Sequence, residues 1–153
     1  MASRGKGSKT KGSSFERKIA KLFGKKLFNN QDALKRTPLS GGGAWKGDIQ
    51  LNPESDIPPK EFIYCIECKN NEQWNLYSLF QPNQKPIVFS WWAQTIKACP
   101  VGKIPLLVMS KNFYPIFVMS DQIPIPKNSN YLIIYKNKQR FIILTLIDFF
   151  KEI

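Results

Sequence analysis

Apolar positions follow two periods along this chain, one near 3.6 residues and one of two, and the stretches alternate. Phe15, Ile19, Leu22 and Phe23 fall on one helical stripe with basic residues elsewhere, which predicts a helix from Ser14 to about Leu27, ending near Asn29-Asn30. Strands are predicted at Ala33–Thr37, at Trp45–Leu51 and at Phe62–Lys69, the last a run rich in β-branched and aromatic residues. Asn52-Pro53 and Ile57-Pro58-Pro59 punctuate the turn before the third. Residues 70–86 are polar and loop-like, yet hold Trp74, Tyr77 and Phe80, aromatics that either pin the loop to the core or stack on bases. Ser90 is a plausible N-cap for a second helix through Ala98, stopped by Pro100. Strands are then predicted at Pro105–Met109, beside the Glu67 strand, and at Pro115–Met119, Tyr131–Tyr135 and Arg140–Leu146. The last two are joined by a polar turn, Lys136-Asn137-Lys138-Gln139, and a short helix closes at Ile147–Ile153. The fold class is α/β, with residues 13–153 as one domain.

Charge changes the picture from a generic domain to one facing a polyanion. The 153 residues carry 23 Lys and Arg against 11 Asp and Glu, a formal charge of +12. Releasing condensed counterions drives such a chain onto nucleic acid. Residues 1–12 hold Arg4, Lys6, Lys9 and Lys11 among Gly, Ser and Thr with no acid, which predicts a disordered basic arm that orders on DNA. No apolar run has membrane-spanning length, and the basic start lacks the apolar stretch of a secretory signal. Cys65, Cys68 and Cys99 are an odd set. On a strand Cys65 and Cys68 face opposite sides, so they read as reduced core thiols of a cytoplasmic protein. The chain has no histidine, which removes Ser-His-Asp hydrolases, Cys-His proteases, HExxH metalloproteases, His-metal nucleases and the usual zinc fingers.

A carboxylate chemistry survives that filter. Alternation along the third strand puts Glu67 and Lys69 on one face and Cys68 on the other. Asp48, from the preceding strand, is the natural partner, and two carboxylates make an oxygen site for a hard cation. The plainer alternative is an ion pair on an edge strand. Glu16, the one acid on the first helix, either reaches inward beside the apolar stripe or closes a Ser13-x-x-Glu16 capping box. Gly41-Gly42-Gly43 lacks a following Gly-Lys-Ser/Thr, so a phosphate-binding P-loop is not expected; a mobile loop of small residues is.

Gly47-Asp48 followed by Glu67-Cys68-Lys69 resembles the signature of the PD-(D/E)xK nuclease superfamily, with Gly47 where a proline commonly stands. The wider order is Lys11-Gly12-Ser13, a helix with Glu16-Arg17, then Arg36, Ser40-Gly41-Gly42-Gly43, Asp48 and Glu67-x-Lys69. Over about residues 12–110 it closely resembles the archaeal-type Holliday junction resolvases, compact homodimers also found in phages. The resemblance implies a restriction-endonuclease-like core, a central mixed β-sheet flanked by helices, here with an extra C-terminal β-hairpin. It implies Asp48, Glu67 and Glu16 as ligands for Mg²⁺ (or Mn²⁺), Lys69 as catalytic lysine and Ser40 as a loop serine near the scissile strand. Arg17 and Arg36 would contact phosphates. Gln94 and Lys97 share a helix face and, with Lys46 and the arm cations Arg4, Lys6, Lys9 and Lys11, complete the expected DNA-binding set. The expected partners are branched or duplex DNA and a second copy of the chain, in a bacterial, archaeal or phage-infected cell. Three readings compete: a junction resolvase, another nuclease of the superfamily, and a DNA-binding module whose carboxylates are structural.

Overall fold

The computed structural model describes residues 4–38, 47–81 and 83–153. The first helix, α1 (Arg4–Phe28), buries Phe15, Ile19, Ala20 and Phe23 on the predicted stripe. It ends at Asn29, whose left-handed φ of 51° and the return bond from Asn30 N–H to Gly24 O (3.3 Å) close the helix. A Cβ on Gly24 would sit 2.7 Å from Asn30 O, so only glycine lets the chain fold back there.

The helix start bears on two expectations. Residues 4–12 are helical, as part of α1, where composition alone predicts a basic arm that orders on DNA. Ser13 therefore lies inside the helix, its hydroxyl donating to Thr10 O at 3.2 Å, and the Ser13-Glu16 capping box does not form.

Strands β1 (Leu34–Arg36) and β2 (Ile49–Leu51) pair antiparallel, Arg36 opposite Ile49. Of the predicted second strand, Gly47-Asp48 form a bend and Ile49–Leu51 the strand, while Trp45 and Lys46 lie outside the described residues. Strand β3 (Tyr64–Asn70) leads through a short 3-10 helix (Leu76–Phe80) and α2 (Ile87–Ala98) to β4 (Ile104–Ser110), which lies parallel to β3 with Glu67 opposite Leu107. Ser90 is not the N-cap of α2. Pro86 (φ −58°, ψ 135°) ends the extended segment and launches the helix at Ile87, and the Ser90 hydroxyl donates to Ile87 O at 2.7 Å. Strands β5 (Phe117–Ser120), β6 (Leu132–Lys136) and β7 (Gln139–Thr145) follow, then α3 (Leu146–Glu152). The five-stranded sheet has the order β3-β4-β5-β7-β6 and is mixed, so the C-terminal hairpin is part of the sheet. Asn137 and Lys138 carry φ of 50° and 64°, as a two-residue hairpin turn needs.

Alternation along the strands sorts the core into two layers. Ile66, Cys68, Leu106, Val108, Ile142 and Leu144 meet α1 and α3; Leu107, Met109, Met119, Phe141 and Ile143 meet α2 and Trp74. Trp74 is buried, its indole N–H donating to Ser110 O at 3.1 Å, so it pins its loop, whereas Tyr77 and Phe80 are exposed. Helices on both faces of a mixed sheet make an α/β fold of the restriction-endonuclease-like kind. No helix among the described residues is long and apolar enough to cross a membrane.

Candidate active site

Strand β3 is an edge of the five-stranded sheet, and the bend before β2 is clipped to that open edge. Asp48 N–H donates to Ile66 O at 2.8 Å, while Asp48 Oδ2 accepts the Cys68 N–H at 2.7 Å. Thr37 N–H donates to Asp48 O at 2.7 Å, tying the end of β1 to the same bend. These bonds fix the carboxylate against the strand that carries Glu67.

Gly47 makes the clip possible. Its φ is +87°, and a Cβ there would lie 3.0 Å from Ile66 O and 3.2 Å from Cys65 Sγ. Proline, with φ locked near −65°, cannot take this conformation. The departure from the superfamily signature is thus a different backbone route to the same aspartate.

Glu67 and Lys69 share a face as alternation predicts, Lys69 Nζ standing 2.9 Å from Glu67 Oε1, both partly buried. Glu16, reaching from α1, pairs with the Arg36 guanidinium of β1, also partly buried. Three acids and two cations therefore meet around the β3 edge, and the acids outnumber their partners. Asp48 bears the imbalance: burial first, then the Glu67 charge, push its pKa up to about 7, with Glu16 adding to the rise. The Cys68 N–H bond and Lys69 oppose the shift without cancelling it.

Among the described residues, no three acidic or sulfur side chains converge at metal-ligand spacing. Each carboxylate is turned to a partner: Glu16 to Arg36, Asp48 to Cys68 N–H, Glu67 to Lys69. The donor chemistry still fits a hard divalent cation. Asp48 and Glu67 are oxygen donors whose mutual repulsion such a cation would relieve. Cys68, opposite them, is fully buried, and burial holds its thiol well above the ordinary range, so it is not a rival ligand. Burial likewise raises Cys65 to about 12.

A cavity of about 450 Å³ lies beside the cluster, along α1 and β1, with Arg17, Lys21, Lys35 and Arg36 in its lining. Arg17 and Arg36 are the phosphate contacts that the sequence resemblance names. Lys21 and Lys35 were not singled out; the signal was available in their spacing, Lys21 one turn beyond Arg17 and Lys35 adjoining Arg36. Gln94 and Lys97 are exposed on α2, away from the ion pairs that hold Glu16 and Glu67. Lys11 pairs with Glu72. Ser40 and Lys46 lie outside the described residues, as do the side chains of Arg4, Lys6 and Lys9.

No curated protein and no solved structure matches the chain. A family model does: residues 7–152 match the phage putative PDDEXK endonuclease family. That span contains Glu16, Asp48, Glu67 and Lys69, the four side chains gathered at the β3 edge. The chain belongs to this family of PD-(D/E)xK phage endonucleases.

Proposed function

We propose that the chain is a Mg²⁺-dependent endodeoxyribonuclease acting on branched DNA, with four-way junctions as its preferred substrate. The observation that carries the hydrolytic reading is the overcharged pocket: Asp48 is clipped to the strand that bears Glu67, and burial, with the Glu67 charge second, pushes its pKa up to about 7. A protein that only bound DNA would gain nothing from acids placed against phosphates. Junction preference rests on the order of motifs along the chain, and two basic cavities along α1, one lined by Lys11 and Lys18 and one by Arg17 and Lys21, suit a branched polyanion.

Asp48 and Glu67 would hold the metal, with Glu16 completing the set or keeping Arg36 in place. When bound, Mg²⁺ supplies a Lewis acid for the scissile phosphate and lowers the pKa of a coordinated water. Lys69, held by Glu67 at 2.9 Å, carries its ammonium to the reacting phosphate, where it stabilises charge that grows in the transition state. Arg17, Lys21, Lys35 and Arg36 seat the phosphate backbone along α1. A four-way junction is two-fold symmetric, so paired nicks call for two sites and a C2 dimer.

The test is a panel of synthetic four-way junction, flap and linear duplex, each with and without Mg²⁺. The reading expects paired symmetric nicks in the junction, weaker cutting of duplex and none without metal. Equal cutting of linear duplex would reduce the activity to that of a nuclease without junction selectivity, and no cutting with Mg²⁺ or Mn²⁺ would leave a DNA-binding module.

A further inference from the structure

The connection from β4 to β5 places one side chain where packing has no use for it. Phe113 has a φ of 58°, a conformation bulky residues rarely adopt, and its ring is fully exposed. The turn around it is firmly held. Glu72 accepts the Asn112 N–H at 3.0 Å, Tyr114 N–H returns to Lys111 O at 3.2 Å, and the Tyr114 ring packs on Trp74 and Phe117 with centroids 5.4 and 5.8 Å away. Burial would draw a phenyl ring inward; here a fixed backbone holds it out in water.

Beside the ring lies a cavity of about 520 Å³, lined by Lys11, Lys18, Lys111 and Asn70 as well as Phe113. That volume lies within the range of small-ligand sites. Asn70 directly follows Lys69 on β3, so the cavity begins one residue from the catalytic cluster, on the other face of the strand. Among the described residues, Asn70 Oδ1 is buried without a hydrogen-bond partner. An aromatic platform, lysines beside it and a buried acceptor answer the three parts of a nucleotide: base face, phosphate and exocyclic amine.

We infer that the Lys111–Tyr114 turn and this cavity form a subsite for one unpaired nucleotide next to the cut, Phe113 stacking on its base and Lys18 and Lys111 holding its phosphate. The inference deepens the proposed function, on which it rests, by naming what marks the substrate: DNA that offers a splayed base, as at a branch point. Tyr77 and Phe80 are exposed as well, yet neither has a left-handed backbone nor lines this cavity.

The test compares the full chain with Phe113→Ala and Phe113→Trp on a four-way junction carrying 2-aminopurine at the branch point and on a matched linear duplex, with Ca²⁺ replacing Mg²⁺. Wild type should quench the fluorophore and bind the junction about tenfold better than the duplex, Phe113→Ala should lose both the quench and that ratio, and Phe113→Trp should restore them. Phe113→Ala matching wild type in quench and in ratio would overturn the inference, and would assign the ring to some other partner. Cleavage with Mg²⁺ separates the two ideas: wild type that quenches but never cuts sinks the endonuclease reading, while cutting with an indifferent Phe113→Ala sinks only the subsite.

Discussion

Replacing Asp48 with asparagine should raise stability while abolishing cleavage, and the gain should depend on pH. Burial and the Glu67 charge lift this carboxyl from 3.8 to about 7. The folded chain then keeps a proton that the unfolded chain has released, so stability falls as pH rises from about 4 to about 7 and is level above. Roughly three pK units at about 1.4 kcal/mol each give an upper bound near 4 kcal/mol above neutrality, and relaxation of the pocket brings this to about 2 kcal/mol. Asparagine keeps an oxygen for the Cys68 N–H, bonded at 2.7 Å in the wild type, and carries no charge. Urea unfolding in EDTA should therefore show Asp48→Asn more stable than wild type by about 2 kcal/mol near pH 8, with little difference near pH 4. Added Mg²⁺ should stabilise the wild type and close the gap, because only the wild type keeps both carboxylates. A variant no more stable than wild type near pH 8, or a difference that ignores pH, would refute the claim that Asp48 is held under electrostatic strain.

Lys69→Ala should lower the cleavage rate by about 10²- to 10³-fold while junction binding stays measurable, read by single-turnover cutting and gel shift. Gly47→Ala puts a Cβ 3.0 Å from Ile66 O at a φ of +87°, so thermal unfolding should show a loss of about 1–2 kcal/mol and cutting should fall with it. Trp74→Ala should cost about 3–5 kcal/mol in chemical denaturation, since the indole is buried and bonded to Ser110, whereas Tyr77→Ala should change stability by less than about 0.5 kcal/mol. Arg17→Ala should weaken DNA binding evenly across sequences and flatten its salt dependence by about one unit of slope.

The strands and the α1 stripe were legible because their periodicity records which face is buried. Ile66 and Cys68 do face α1, and Glu67 and Lys69 do point the other way. The same alternation is what singles out the site's proposed chemistry: three acids and a lysine in a histidine-free chain leave few alternatives. What the pattern hid was set by neighbours in space. The helix α1 runs back to Arg4 through a stretch with no apolar stripe to announce it, and the start of α2 is set by the fixed backbone of Pro86. The Glu16–Arg36 pair joins residues twenty apart, and Gly47's role needs the approach of Ile66 O, neither visible along one strand. Phe113 carries no periodic signal at all; only its backbone angle and exposure set it apart.

The central claim is that Asp48 and Glu67 together form a divalent-cation site. Titrating Mn²⁺ into wild type, Asp48→Asn and Glu67→Gln by isothermal calorimetry tests it without any DNA. Each single variant should bind the ion at least about tenfold more weakly than wild type, since each removes one charged oxygen ligand. Undiminished Mn²⁺ binding by both variants would contradict the account.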